Sequence, residues 1–73
     1  MSLMRRIMWP RVGEQVTIVQ NGRVIVEGHV TYSGNDEVRI LDQEADTVIL
    51  DATELTTGIE NRSINVQKKA RVH

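Results

Sequence analysis

The sequence predicts an all-β protein, built as a small, strongly bent antiparallel sheet of five strands that closes into a barrel. Apolar residues, mostly valine and isoleucine, recur along the chain with a period of two. Short runs of turn-forming residues separate these segments, and no window has the apolar stripe of a helix. We therefore expect consecutive hairpins and at most one short helical turn, at Thr53–Leu55.

The chain has 73 residues, which is enough for one domain with a modest core. It contains no cysteine, so disulfides cannot reinforce that core and self-association is the expected substitute. We divide the chain into an N-terminal tag and extended arm (1–11), one barrel domain (12–66) and a basic tail (67–73). Met1–Leu3 is interpreted as a tag, and Met4 as the natural start.

Four strands are predicted from the alternation of apolar and polar residues: Gln15–Gln20, Arg23–Ser33, Glu37–Asp42 and Thr47–Asp51. A fifth, shorter strand is predicted near Ile64–Val66. The intervening segments, Asn21-Gly22, 33–36 and 43–46, are rich in residues that favour turns.

The first hairpin has two possible registers. A two-residue loop at Asn21-Gly22 pairs Ile18 with Ile25 and mixes the two faces of the sheet. A three-residue loop, with Gly22 in the left-handed conformation of a bulge, pairs Ile18 with Val24, and we predict this register. It places the apolar residues on one face: Val16, Ile18, Val24, Val26, Val30, Tyr32, Val38, Ile40, Val48 and Leu50.

Two further residues help to define the barrel. Gly28 lies in the middle of the longest strand, where a glycine marks a sharp bend or a close approach of another backbone; an ordinary strand glycine is the alternative. Trp9 precedes the first strand, and it either plugs the open end of the barrel or contacts a partner. We favour the plug.

A second apolar set lies on the opposite face of the predicted sheet. Several exposed apolar residues on adjacent strands form a patch, and such patches mark interaction sites. We predict an interface between copies of the chain at Val19, Ile25, Leu41 and Ile49.

The sequence offers no catalytic chemistry, and we expect a protein that is not an enzyme and binds no cofactor, metal or small-molecule substrate. Most acidic residues fall in turns or at strand ends, and His29 is expected to face outward from its strand. Asp42, Glu44 and Asp46 could hold a hard cation loosely, but they lack the pattern of a calcium-binding loop. A barrel of this size is filled by its own side chains. No apolar run reaches the roughly 20 residues of a membrane helix, so we expect a cytoplasmic protein.

Charge is nearly balanced in total but uneven along the chain. There are ten acidic and nine basic residues, and the segment 36–60 is strongly acidic. Acidic turns usually confer solubility, although attraction between the acidic middle of one copy and the basic ends of another is an alternative. Basic residues that could contact nucleic acid are Arg5, Arg6, Arg11, Arg23, Lys68, Lys69 and Arg71.

Two families of small β-proteins share features with this chain. The chain resembles the carbon storage regulator family of RNA-binding repressors at 11–14 (Arg-Val-Gly-Glu), at Gly34-Asn35 before 38–40 (Val-Arg-Ile), at Val48 and at Glu54-Leu55. The positions of that family's RNA-contacting arginines hold Pro10 and Ala52 here. The stretch 16–30 also looks like the first strands of an Sm-like barrel. SH3-like barrels share this general spacing of strands and turns. The resemblances imply a five-stranded SH3-like or Sm-like fold and RNA as a ligand.

Two functions follow from these observations. The first is a non-enzymatic interaction or assembly module that forms a homo-oligomer or binds another protein. The alternative is an RNA-binding regulator that uses the basic ends of the chain. Phosphate contacts dominate affinity for RNA, so the acidic middle disfavours the alternative.

Overall fold

The computed structural model describes residues 9–69, which form a mainly β fold with one short helix. Its elements, in chain order, are β1 (Gln15–Gln20), β2 (Arg23–Ser33), β3 (Glu37–Asp42), β4 (Thr47–Asp51), α1 (Ala52–Glu60) and β5 (Ile64–Lys68). The four strands with predicted bounds are confirmed, and the fifth extends two residues beyond Val66.

The five strands form one antiparallel sheet in the order β4-β3-β2-β1-β5. β4 and β5 are its edges, and within residues 9–69 no ladder joins them. The predicted closure into a barrel is therefore not confirmed, and the sheet is open. Helix α1 connects the two edge strands along the chain and contacts both of them, as well as β3.

The predicted register of the first hairpin is wrong. The loop has two residues, Asn21 and Gly22, and both have a positive φ, at 51° and 80°. The register then shifts between Ile18 and Val19, so that Ile18 pairs with Val26. The extra residue of this bulge is Ile25. Because it shifts the pairing by one residue, the apolar residues of β1 and of the rest of β2 lie on the same face of the sheet. This solution leaves Val24 exposed, contrary to the prediction.

Tyr32 is also exposed, rather than on the core face. A second register shift in β2 pairs Val30 with Ile40 but Tyr32 with Arg39. Thr31 is the extra residue of this bulge, and it turns the following side chain to the outer face.

The core is formed by the inner face of the sheet together with one face of α1. Its buried members are Val16, Ile18, Val26, Val30, Val38, Ile40, Leu55, Ile59, Ile64 and Val66, with Trp9, Val48 and Leu50 partly buried against them. The inner-face prediction is confirmed for the buried residues of β1, β2 and β3.

Gly28 marks a close approach of backbone, as predicted. A Cβ atom at this position would lie 2.1 Å from the carbonyl oxygen of Leu41. No side chain larger than hydrogen fits there without separating β2 from β3. Gly28 pairs with Val16 on one side and with Asp42 on the other.

Helix α1 is longer than the single turn predicted. The Asp51 side chain caps its N-terminus by accepting hydrogen bonds from the backbone N–H groups of Thr53 (2.8 Å) and Glu54 (3.0 Å). Leu55 and Ile59 lie one turn apart on its buried face. Burial of these two side chains holds nine residues in a helix despite three threonines and a glycine.

The segment before β1 packs against the sheet. Trp9 donates a hydrogen bond from Nε1 to Ser33 Oγ at 3.1 Å, and Ser33 Oγ donates to the Pro10 carbonyl at 2.8 Å. Pro10 is buried, and Trp9 packs against the core. Trp9 thus packs against the core, while its role as a plug for the open end of a barrel stays a prediction.

Candidate interaction surface

Among residues 9–69, no strand pairs with the outer edge of β4. Just before this strand, the Asp42 N–H donates to the Asp46 carbonyl at 2.9 Å. Hydrogen-bonded positions recur at every second residue of an antiparallel ladder, so the main chain of Val48 is directed to β3. The N–H and C=O groups of Thr47 and Ile49 consequently point away from the sheet, where another strand can pair with them.

The two edge strands differ in how well their inward-facing side chains are covered. Val48 and Leu50 of β4 are half-buried, whereas Ile64 and Val66 of β5 are buried. The inward side of β4 is therefore the less covered of the two.

A row of large side chains crosses the outer face next to this edge. Ile49 pairs with Arg39, and Arg39 pairs with Tyr32. The Arg39 guanidinium lies 5.1 Å from the centre of the Tyr32 ring, within the range of a cation–π contact. Glu37 accepts a hydrogen bond from Arg39 Nε, and this bond, with the carboxylate's charge, raises the pKa of Arg39 above its ordinary value.

Leu41 extends the row and is 39% exposed. Leu41 pairs with Thr47, which places it diagonally next to Ile49 on the same face. Tyrosine and arginine are enriched in protein interfaces, and aliphatic neighbours add contact area. We call Tyr32, Arg39, Leu41 and Ile49 the outer patch.

The structure brings together only part of the predicted interface. Leu41 and Ile49 are neighbours in the outer patch. Val19 is half-buried and pairs with Val24 at the other side of the sheet. Ile25 is the extra residue of the first bulge and lies beside buried core residues such as Ile18.

A groove lies on the inner side of β4, between this strand and the first half of β2. It has two parts, of about 140 and 200 Å³, that share Ile25. Its apolar lining consists of Ile18, Ile25, Val26, Val48, Leu50, Leu55 and Ile64. Its acidic lining consists of Glu27, Asp42, Glu44, Asp51 and Glu54. Each part is smaller than the roughly 300 Å³ of a typical small-molecule pocket. We call this feature the acidic groove.

The predicted nucleic-acid contacts are not gathered on one surface in the part of the chain that is described. Lys68 and Lys69 lie beside the start of β1, where Lys68 Nζ is 3.3 Å from a Glu14 carboxylate oxygen. The same Glu14 oxygen accepts a hydrogen bond from the Arg11 N–H at 2.7 Å. Arg23 lies at the opposite end of β1, next to the hairpin turn. The remaining three, Arg5, Arg6 and Arg71, fall outside the described residues.

Of the three acidic residues considered as loose cation ligands, Asp42 has a structural role through its side chain. One Asp42 carboxylate oxygen accepts hydrogen bonds from the N–H groups of Glu44 and Asp46, both at 2.9 Å, and so fixes the β3–β4 turn. Between residues 9 and 69, no group of three or more acidic or histidine side chains is placed to hold a metal ion. His29 is exposed, as predicted.

Tyr32 and Arg39 are members of the surface that sequence analysis missed. Alternation assigns Tyr32 to the core, and only the bulge at Thr31 turns it outward. The nearest turn-forming residues, at 33–36, predict the β2–β3 turn and do not signal that bulge.

Among residues 9–69, no helix is long and apolar enough to cross a membrane. Comparisons with known protein families, curated proteins and solved structures give no significant match.

Proposed function

We propose that this chain is a non-enzymatic interaction module that associates with further copies of itself through the exposed edge of β4 and the outer patch. The observation that carries this proposal is the exposure of Ile49, next to Leu41, on a strand that has no partner on its outer side within residues 9–69. A strand edge offers hydrogen bonds, and the adjoining apolar side chains offer area to bury, so both contributions to a stable interface are present in one place.

Self-association would also stabilise a chain of this length. Seventy-three residues without cysteine bury a limited core, and covering the outer patch adds buried apolar area. We further propose that the sheet forms the wall of a small SH3-like barrel, with α1 filling the gap between β4 and β5. Contacts of α1 with β3, β4 and β5 support this arrangement. The lack of cysteine suits a reducing compartment, so we keep the cytoplasm as the proposed location.

Sedimentation velocity over a range of protein concentrations tests the proposal. Ile49→Asp places a charge in the middle of the interface, and we expect it to weaken association by about tenfold or more. Val12→Asp is the matched control, because Val12 is 62% exposed, close to the 58% of Ile49, but lies before β1. Equal effects of the two substitutions would exclude the edge of β4 as the interface.

RNA binding is the second candidate, and one observation favours it. Arg11, Lys68 and Lys69 lie at the same end of the sheet, around the start of β1. Glu14 offsets part of their charge. A filter-binding titration with single-stranded RNA at two salt concentrations tests this function: micromolar binding that weakens steeply with salt would support it over self-association.

A further inference from the structure

The acidic groove combines an apolar floor with carboxylates on both walls. Asp42 and Asp51 already accept backbone hydrogen bonds, and Glu27 accepts one from Thr17 Oγ1 at 3.0 Å. Glu44 and Glu54 are exposed, and among the described residues their carboxylates make no ion pair. These two side chains are therefore available for a basic partner.

The shape of the site suits an extended segment. The groove follows the inner side of β4, while the same strand directs main-chain groups outward at Thr47 and Ile49. A strand added to a sheet edge gains affinity from main-chain hydrogen bonds and specificity from pockets that receive alternate side chains. The groove would receive its inward side chains, and the outer patch would meet its outward ones.

The charges of the chain indicate which segment this is. Residues 9–69 contain ten acidic and six basic residues, a net charge of 6 − 10 = −4. Excess positive charge therefore lies in the flanking segments. Residues 4–8 (Met-Arg-Arg-Ile-Met) combine two arginines with three large apolar side chains, whereas residues 70–73 (Ala-Arg-Val-His) have one arginine and one large aliphatic side chain.

We propose that residues 4–8 of a second copy bind along β4 as an added strand, with Met4, Arg6 and Met8 directed to the acidic groove and Arg5 and Ile7 directed to the outer patch. Arg6 then meets the acidic lining of the groove, which includes Glu44 and Glu54. This inference rests on the proposed self-association and names the segment that occupies the edge. Five extended residues span about 17 Å, enough to follow a five-residue strand such as β4 along its whole length.

Exchange of charges between the two partners tests the inference in the full chain. One variant carries Arg6→Glu, and the other carries Glu44→Lys and Glu54→Lys. We expect each variant alone to lose association by about tenfold, because like charges then face each other across the contact. An equimolar mixture restores association, since every segment then meets a groove of opposite charge.

Asp46→Lys is the matched control for the single variant Glu44→Lys. It changes the net charge by the same amount, and Asp46 lies two residues from Glu44 but outside the groove. We expect this control to associate like the unmodified chain. Circular dichroism of each variant checks that the sheet is retained.

The outcomes separate the two proposals. Association that responds to Ile49→Asp but does not recover in the mixture would overturn the inference and leave the proposed function standing. A groove variant that weakens association while the arginine variant does not would mean that another segment occupies the groove. An unmodified chain that stays monomeric at all concentrations would overturn both.

Discussion

Gly28→Ala is expected to be the most destabilising single-methyl change in the sheet. The added Cβ would lie 2.1 Å from the Leu41 carbonyl oxygen, 2.8 Å from the Leu41 carbonyl carbon and 2.9 Å from the Asp42 Cα. All three atoms belong to the backbone, so no side-chain rotation relieves the contact. An acceptable carbon–oxygen separation is about 3.3 Å, so β2 and β3 must part by about 1 Å.

Two contributions set the size of the effect. Overpacking costs about 1–3 kcal/mol, and each weakened ladder hydrogen bond about 1 kcal/mol more. We therefore expect Gly28→Ala to lower the free energy of unfolding by about 3 kcal/mol. A domain of this length has about 4–11 kcal/mol in total, so the loss is a large fraction of its stability. At about 4–8 °C per kcal/mol, Tm falls by roughly 12–24 °C.

Thermal and urea unfolding followed by circular dichroism measure this loss. Gly34→Ala is the control, because its Cβ would meet the phenol of Tyr32, with the hydroxyl oxygen at 2.5 Å. The exposed Tyr32 side chain can move aside, so we expect a cost below about 1 kcal/mol. If Gly28→Ala were no more destabilising than Gly34→Ala, the close approach of β2 and β3 would be refuted.

Three further predictions concern the helix, the core and the N-terminal segment. Asp51→Ala removes the helix cap and should lower the unfolding free energy by about 1 kcal/mol in urea titrations, and no change would mean that the cap is dispensable. Leu55→Ala leaves a cavity in the core, and we expect it to lower the free energy of unfolding by about 2–5 kcal/mol in urea titrations. A decrease below about 1 kcal/mol would contradict the packing of α1 on the sheet. Trp9→Phe removes the hydrogen bond to Ser33, and we expect the free energy of unfolding in urea to fall by about 1 kcal/mol. A higher free energy of unfolding would argue against the observed contact.

Strand positions were predictable from sequence because burial of one face imposes a strict period of two. Alternation in the segments 15–20 and 37–42 indicates both the bounds and the inward face. The hairpin register was not predictable in the same way. A bulge resets the alternation, and its position in β2 depends on how β1 and β3 pack against that strand from both sides.

The helix was underestimated for a different reason. Thr56, Thr57 and Gly58 have low helix propensity, so the segment looks irregular in isolation. Asp51 followed by Glu54 is a helix-start pattern that was present in the sequence. Tertiary burial then extends the helix, with Gly58 so close to Ile64 that a Cβ would lie 2.3 Å from its Cδ1.

The candidate surface was predicted in part. Leu41 and Ile49 were identified because alternation places them opposite the core, and they are neighbours in the fold. Val19 is separated from them by its position in the strand order, and Ile25 by the bulge. The acidic groove depends on the three-dimensional proximity of β2, β4 and α1, which local sequence patterns do not specify.

Sedimentation velocity of the unmodified chain and of Ile49→Asp, from low micromolar to near millimolar concentration, tests the central claim most directly. Our account predicts that the average mass of the unmodified chain rises with concentration, and that Ile49→Asp, but not Val12→Asp, suppresses the rise. A constant monomer mass of 8.3 kDa for the unmodified chain over the whole range would contradict it.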